Sequence, residues 1–244
     1  MTEKPSVLVL WDIDRTLLYV GNIDRQVYRE AFFQVVGRPA ERLPARGTGV
    51  TMPLAIRGLL RDNGVADSDV PKLLPRMKEL LPKRLAERLA DLKDEGVLMP
   101  GAAAALREVH NRAGLIPTVV TGNLKPNAVL KLEAFNLDRL VDADIGGYAS
   151  DNDHRPALVG VAQNRASAKH GTSFDRTNTV IIGDSLEDVR TGLQGGALVI
   201  GVATGTTSAK ALRKAGADVV LQDLTDVPRL IDAITAVISP DTRR

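Results

Sequence analysis

Residues 6–16 read SVLVLWDIDRT: a short apolar run that begins just after Pro5 and stops abruptly at Asp12 and Asp14. A continuous apolar stretch of this length predicts a strand buried on both faces of a parallel sheet. The two carboxylates then stand at its C-terminal tip, the edge at which open α/β sheets bind ligands. The same texture returns at 115–121, running into Thr121-Gly122-Asn123, and at 179–183 (TVIIG), running into Asp184-Ser185-Leu186-Glu187-Asp188. Weaker strands are expected near 143–146, at 197–202 and at 218–221. Helical spacing fills the intervals at 101–113, 125–135, 157–170, 184–194, 208–215 and 227–238, which is the βαβ alternation of a Rossmann-like parallel sheet with helices on both faces.

Between the first strand and the rest lies a stretch of different character. Val27, Tyr28, Ala31, Phe32 and Val35 recur at helical spacing up to Gly37 and Pro39, and further helices are expected at 51–62, 68–81 and 83–95. No convincing strand interrupts them. The expected organisation is one α/β core domain made of residues 1–21 and 96–244, with residues 22–95 inserted as an all-helical domain. The insert holds fourteen Lys/Arg against eleven Asp/Glu, whereas the remainder holds eighteen against nineteen. A basic insert above an acidic strand edge suits an anionic substrate.

Composition removes several chemistries. The 244 residues include no cysteine and three scattered histidines, so thiol nucleophiles, disulfides, thiolate metal sites and histidine-rich metal centres are excluded or disfavoured. The formal charge of +2 is near balance and the aromatic fraction is 3%, so nothing asks for a nucleic acid partner. No apolar run approaches the ~20 residues of a bilayer span, and the first residues lack the layout of a secretory signal. The expectation is a cytoplasmic chain with no membrane partner, a monomer or homodimer, acting on a small anionic substrate.

If the three apolar runs are neighbouring strands, Asp12, Asp14 and Asp184 converge with the Thr121 hydroxyl. Carboxylates that close raise one another's pKa unless a divalent cation sits among them. Hard oxygen donors favour Mg²⁺, which retains waters and takes substrate phosphate as a further ligand. Each residue alone has a plainer reading. Asp184 and Asp188 could be turn or helix-cap residues, Thr121 could cap the following helix, and Trp11 packs behind its strand. Gly47-Thr48-Gly49 is a loop that either stays plain or faces the substrate.

Taken together, Asp12-Ile13-Asp14-Arg15-Thr16, Val119-Val120-Thr121-Gly122-Asn123 and Gly183-Asp184-Ser185-Leu186-Glu187-Asp188 resemble, in order, three motifs of the haloacid dehalogenase-like (HAD) hydrolase superfamily. The closest likeness is to its phosphoglycolate-phosphatase-like branch, with the insert resembling a helical C1 cap domain. The resemblance implies a Mg²⁺-dependent phosphatase that hydrolyses a small phosphomonoester through an aspartyl-phosphate. Asp12 would be the nucleophile, and Asp14 the general acid that then serves as base. Thr121, Gly122 and Asn123 would hold phosphoryl oxygens. Asp12, the Asp14 carbonyl and Asp184 would hold the metal, with Asp188 at the outer shell or a second metal position.

The family's phosphate-binding cation, usually Lys-Pro, is replaced here by Arg155-Pro156, with Lys169 as the alternative and His154 adjoining. Arg15 stands where the family's commonest residue is Gly and could narrow the pocket. A phosphomutase of the β-phosphoglucomutase kind shares every core motif. A phosphonatase would need a Schiff-base lysine from the insert, for which Lys72, Lys78, Lys83 and Lys93 are loose candidates. A non-catalytic phosphate-binding α/β protein is the reading from another class.

Overall fold

A computed structural model describes residues 6–45 and 47–239. The central strand is β1 (Val7–Trp11), paired in parallel with β4 (Leu115–Thr121) on one side and β6 (Thr179–Gly183) on the other. Adding β5 (Gly147–Tyr148), β7 (Leu198–Val202) and β8 (Val219–Leu221) gives a six-stranded parallel sheet in the order β5-β4-β1-β6-β7-β8. The chain leaves β1 toward one edge and later returns to build the other edge from β6. The reversal falls beside β1, and it opens a crevice between the carboxyl ends of β1, β4 and β6.

The two-residue period of a strand divides the core. Val7, Val9 and Trp11 face one hydrophobic layer, while Leu8 and Leu10 face the other. The first layer is closed by α5 (Ala102–Asn111), α6 (Lys125–Ala134) and α10 (Val227–Ile238). The second is closed by α7 (Ala157–His170), α8 (Leu186–Gly195) and α9 (Ala209–Ala215). Burial on both faces explains why these strands read as unbroken apolar runs.

The insert contains α1 (Ile23–Val36), α2 (Met52–Asp62), α3 (Val70–Glu87) and α4 (Leu89–Glu95). A feature with no sequence signal, an antiparallel ribbon of β2 (Leu18–Tyr19) and β3 (Val97–Leu98), joins the two chain crossings between sheet and insert. The expected break at Pro82 is absent: α3 runs through both Pro75 and Pro82 and stops only at Arg88. Val70, Leu74, Met77, Leu81 and Leu85 form one buried stripe along it. That packing outweighs the backbone hydrogen bonds the prolines remove. The short strand expected at 143–146 lies slightly later, as β5.

Candidate active site

The strand tips bring together the acidic residues that the sequence marks. Asp12 follows β1, its amide donating to the Ile182 carbonyl at 2.9 Å, and Asp184 follows β6. Asp188 lies in the first turn of α8, where it completes a capping box: its Oδ2 accepts from the Ser185 amide at 2.9 Å and the Ser185 hydroxyl at 2.6 Å. Carboxylate oxygens of Asp12, Asp184 and Asp188 lie within 4.8 Å of one another, and all three residues are buried.

Arg155, 2% exposed, is the cation set into this cluster. It precedes α7, and its Nη2 donates to Asp12 Oδ1 at 2.6 Å and also to Asp188 Oδ1, while Nη1 donates to the Gly49 carbonyl. Lys169 sits at the far end of α7, exposed and paired with Asp142 at 2.6 Å. His154 is exposed, and Lys72, Lys78, Lys83 and Lys93 do not line the cavity.

One guanidinium does not balance three carboxylates. Burial, reinforced by Asp188, pushes Asp12 well above the usual carboxylate range despite Arg155, and the same two influences push Asp184 up to about 7. Asp184 Oδ2 is buried with no hydrogen-bond partner among the described residues. Thr16 Oγ1 lies 3.3 Å from both Asp12 Oδ2 and Asp184 Oδ1, and its single proton serves one at a time. The carboxylate of Asp184 packs so tightly on Gly205 that a Cβ there would fall 1.6 Å from Oδ2. An orphaned oxygen within an all-oxygen donor set fits a hard divalent cation such as Mg²⁺. Asp12, Asp184 and Asp188 each offer a carboxylate oxygen to such an ion, and Asp184 Oδ2 is the one with no hydrogen-bond partner among the described residues.

Asp14 occupies a separate environment. Its Oδ1 accepts from Lys131 Nζ at 2.8 Å and its Oδ2 from Asn123 Nδ2 at 2.6 Å. Lys131 also donates to Asp24 Oδ2 at 2.8 Å and to Asn123 Oδ1 at 3.0 Å. Burial would raise the Asp14 pKa, but Lys131 and the hydrogen bonds from Lys131 and Asn123 outweigh it and hold the group below its ordinary value. For Lys131, burial works against the charge, yet Asp14 and Asp24 hold it firmly protonated. Lys131 and Asp24 are absent from the motif reading. The available signal was a lysine placed one turn from Ala128 on the buried side of an otherwise ordinary helix, where the stripe calls for an apolar residue.

Thr121 Oγ1 accepts from the Asn123 amide at 3.2 Å and from Asn123 Nδ2 at 2.8 Å, which leaves its own proton for an acceptor in the crevice. The insert supplies the roof. The Met52 amide donates to the Gly122 carbonyl at 2.7 Å, and Thr51 Oγ1 donates to the Asp153 carbonyl at 2.9 Å. Gly49, at φ +68°, is pressed against Ser185, Arg155 and Glu187, so a Cβ would meet the Ser185 hydroxyl at 2.5 Å. The Gly47-Thr48-Gly49 loop thus faces the crevice.

Together these walls enclose a cavity of about 180 Å³ that reaches Asp12, Asp14, Thr121 and Asp184. That is smaller than the roughly 300–1,000 Å³ typical of drug-sized ligands, so a small occupant is favoured. Arg15, half-buried at its wall, adopts φ +67° and lays its guanidinium 4.3 Å from the centre of the Tyr19 ring. For a residue with a Cβ this left-handed backbone costs about 1–2 kcal/mol.

A family model described as haloacid dehalogenase-like hydrolase matches residues 9–192. No curated protein matches the chain. Among solved structures, a hydrolase from Pseudomonas syringae is 21% identical with a TM-score of 0.67, covering 95% of this chain and 99% of that one. A predicted phosphatase from Clostridium acetobutylicum is 17% identical with a TM-score of 0.68, over 94% of this chain and 100% of its own. A HAD hydrolase of family IA, variant 3, from Entamoeba histolytica is 19% identical with a TM-score of 0.62, over 95% and 100%. At these identities the likeness is one of fold. No helix among the described residues is long and apolar enough to cross a membrane.

Proposed function

The chain belongs to the haloacid dehalogenase-like hydrolase family, and from that premise we propose that it is a Mg²⁺-dependent phosphatase cleaving a small phosphomonoester through an aspartyl-phosphate on Asp12. The observation that carries this reading is the division of labour between two carboxylates two residues apart. Asp12 lies in the buried cluster with Asp184, Asp188 and Arg155, while Asp14 faces the cavity and is oriented by Lys131 and Asn123.

In the first step an Asp12 carboxylate oxygen attacks phosphorus, and the bond from phosphorus to the leaving oxygen breaks. Asp14, carrying a proton as substrate binds, passes it to the departing alcohol and is left as the carboxylate that Lys131 and Asn123 hold. The Thr121 hydroxyl and the amides that follow it bind phosphoryl oxygens. Arg155 keeps the Asp12 carboxylate aligned through a charge-assisted hydrogen bond. In the second step Asp14 takes a proton from water, which attacks the phosphorus of the aspartyl-phosphate and restores Asp12. The hold of Lys131 on an ionised Asp14 suits this base role. Mg²⁺ bound by Asp12, the Asp14 carbonyl and Asp184 would neutralise charge between nucleophile and phosphate. The roof over the crevice restricts water, which is also what a phosphomutase requires; transfer to an added sugar phosphate in place of release of inorganic phosphate would identify that reaction.

The test is turnover of p-nitrophenyl phosphate with Mg²⁺. We expect EDTA-sensitive release of phosphate and its loss in Asp12→Asn. Undiminished turnover in that variant would remove Asp12 as the nucleophile.

A further inference from the structure

Two arginines of the cavity wall take no part in the site chemistry. Arg155 is neutralised by Asp12 and Asp188, and Lys131 is shared by Asp14 and Asp24. Arg15 and Arg25 also line the cavity, yet among the described residues neither has a carboxylate within ion-pair distance. Arg25 is steadied by a 3.0 Å bond from Nη1 to the Pro44 carbonyl.

Arg15 is fixed more elaborately. Its amide donates to the Leu18 carbonyl at 2.6 Å, and its own carbonyl accepts from Thr204 Oγ1 at 2.6 Å. These bonds clamp the backbone at φ +67°, a conformation a glycine would hold without strain. The guanidinium carbon lies 4.3 Å from the centre of the Tyr19 ring, a cation–π contact that restrains the side chain at the cavity wall. A strained arginine, stacked and without a carboxylate partner at a cavity wall, is a pre-organised anion binder.

We propose that Arg15 determines specificity, selecting phosphomonoesters whose leaving alcohol carries a second anionic group, a carboxylate or a second phosphate. The proposal rests on the phosphatase reading above. Arg25 adds to the same field. The guanidinium fork matches either anion with two parallel hydrogen bonds.

Three compounds test it: 3-phosphoglycerate, 1,3-propanediol bisphosphate and, without the second anion, glycerol 3-phosphate. Turnover with Mg²⁺ is compared in the wild type and Arg15→Gly. Binding is measured by calorimetry in Asp12→Asn and in Asp12→Asn/Arg15→Gly, where hydrolysis does not interfere. We expect at least one anion-tailed compound to be favoured about tenfold or more over glycerol 3-phosphate in both kcat/KM and Kd, a fold-change typical of a charged contact. Arg15→Gly should reduce that preference to within about threefold, chiefly through KM, while the thermal midpoint stays level or rises because the strained backbone is relieved.

A preference confined to 3-phosphoglycerate identifies the anion as a carboxylate, and one confined to the bisphosphate identifies it as a phosphate. Equal Kd values for all three, or a preference that survives Arg15→Gly, overturn the proposal. Selective binding with no turnover of these compounds or of p-nitrophenyl phosphate would leave the anion subsite standing and overturn the phosphatase reading instead.

Discussion

Replacing Lys131 by Met keeps the length of the side chain and removes its charge. In the folded protein Lys131 is 1% exposed and joins Asp14 and Asp24, whose side chains are 37% and 33% exposed. Breaking a fully buried ion pair by deleting one partner costs about 3–5 kcal/mol. Here the two stranded carboxylates can each draw on some water, which screens part of that penalty. We therefore expect a loss of about 2–3 kcal/mol, or roughly 4–6 °C in Tm for a chain of 244 residues. The assay is thermal and urea unfolding of the wild type, Lys131→Met, Asp24→Asn and the double variant. Because much of the loss comes from repulsion between Asp14 and Asp24, neutralising Asp24 should restore about half of it in the Lys131→Met background. A Lys131→Met midpoint within 1 °C of the wild type would refute the reasoning, as would strictly additive losses in the double variant.

Arg155→Lys should fold but lose about 10–100-fold in kcat, because one ammonium cannot span Asp12, Asp188 and the Gly49 carbonyl; steady-state kinetics decides it. Without metal, Asp184 folded at about 7 against 3.8 as its reference means that the folded state carries the extra proton between these values. Metal-free stability should therefore fall as pH rises from about 4 to 7, by at most ~1.4 kcal/mol per pH unit for each such group, and Mg²⁺ should stabilise more at pH 8 than at pH 6. Scanning calorimetry with and without EDTA measures both. Asp12→Asn removes one of three crowded carboxylates and should raise the metal-free Tm at pH 8 while abolishing turnover; a lower Tm would contradict the repulsion assigned to the cluster. Gly49→Ala forces a Cβ against Ser185 and Arg155 at a positive φ, so KM should rise several-fold as the roof lifts.

The sheet was legible in the sequence because strands buried on both faces have no choice of pattern. SVLVLW and TVIIG run directly into Asp12 and Asp184, and 115–121 ends in Thr121, three residues that line one cavity. The helices between residues 23 and 95 were legible for the complementary reason, since their stripes follow the helical period. Pro82 misled because single-residue propensity ignores the Leu81 and Leu85 packing that continues the helix. The ribbon at 18–19 and 97–98 escaped notice because two-residue strands carry no period. Asp12, Asp184 and Arg155 are linked by motif spacing, but Lys131 reaches Asp14 across 117 positions of chain. Such a contact is set by how α6 is seated in the hydrophobic layer that Val7, Val9 and Trp11 face, and nothing local in the sequence encodes it.

The central position of β1 also governs how the molecule is made. Val7 pairs with Leu115, and Leu8 with Thr179. At ~5–20 residues per second of synthesis, the first hydrogen-bonding partner follows β1 about 5–20 s later, and the second later still. During that interval VLVLW is an uncharged, strand-prone segment without its sheet, while the helices of the insert can already form local contacts. The strand that leads into Asp12 is thus made well before the two strands that complete its pairing. Its exposure while the chain is unfinished makes nascent chains, more than mature protein, the species that need protection from aggregation.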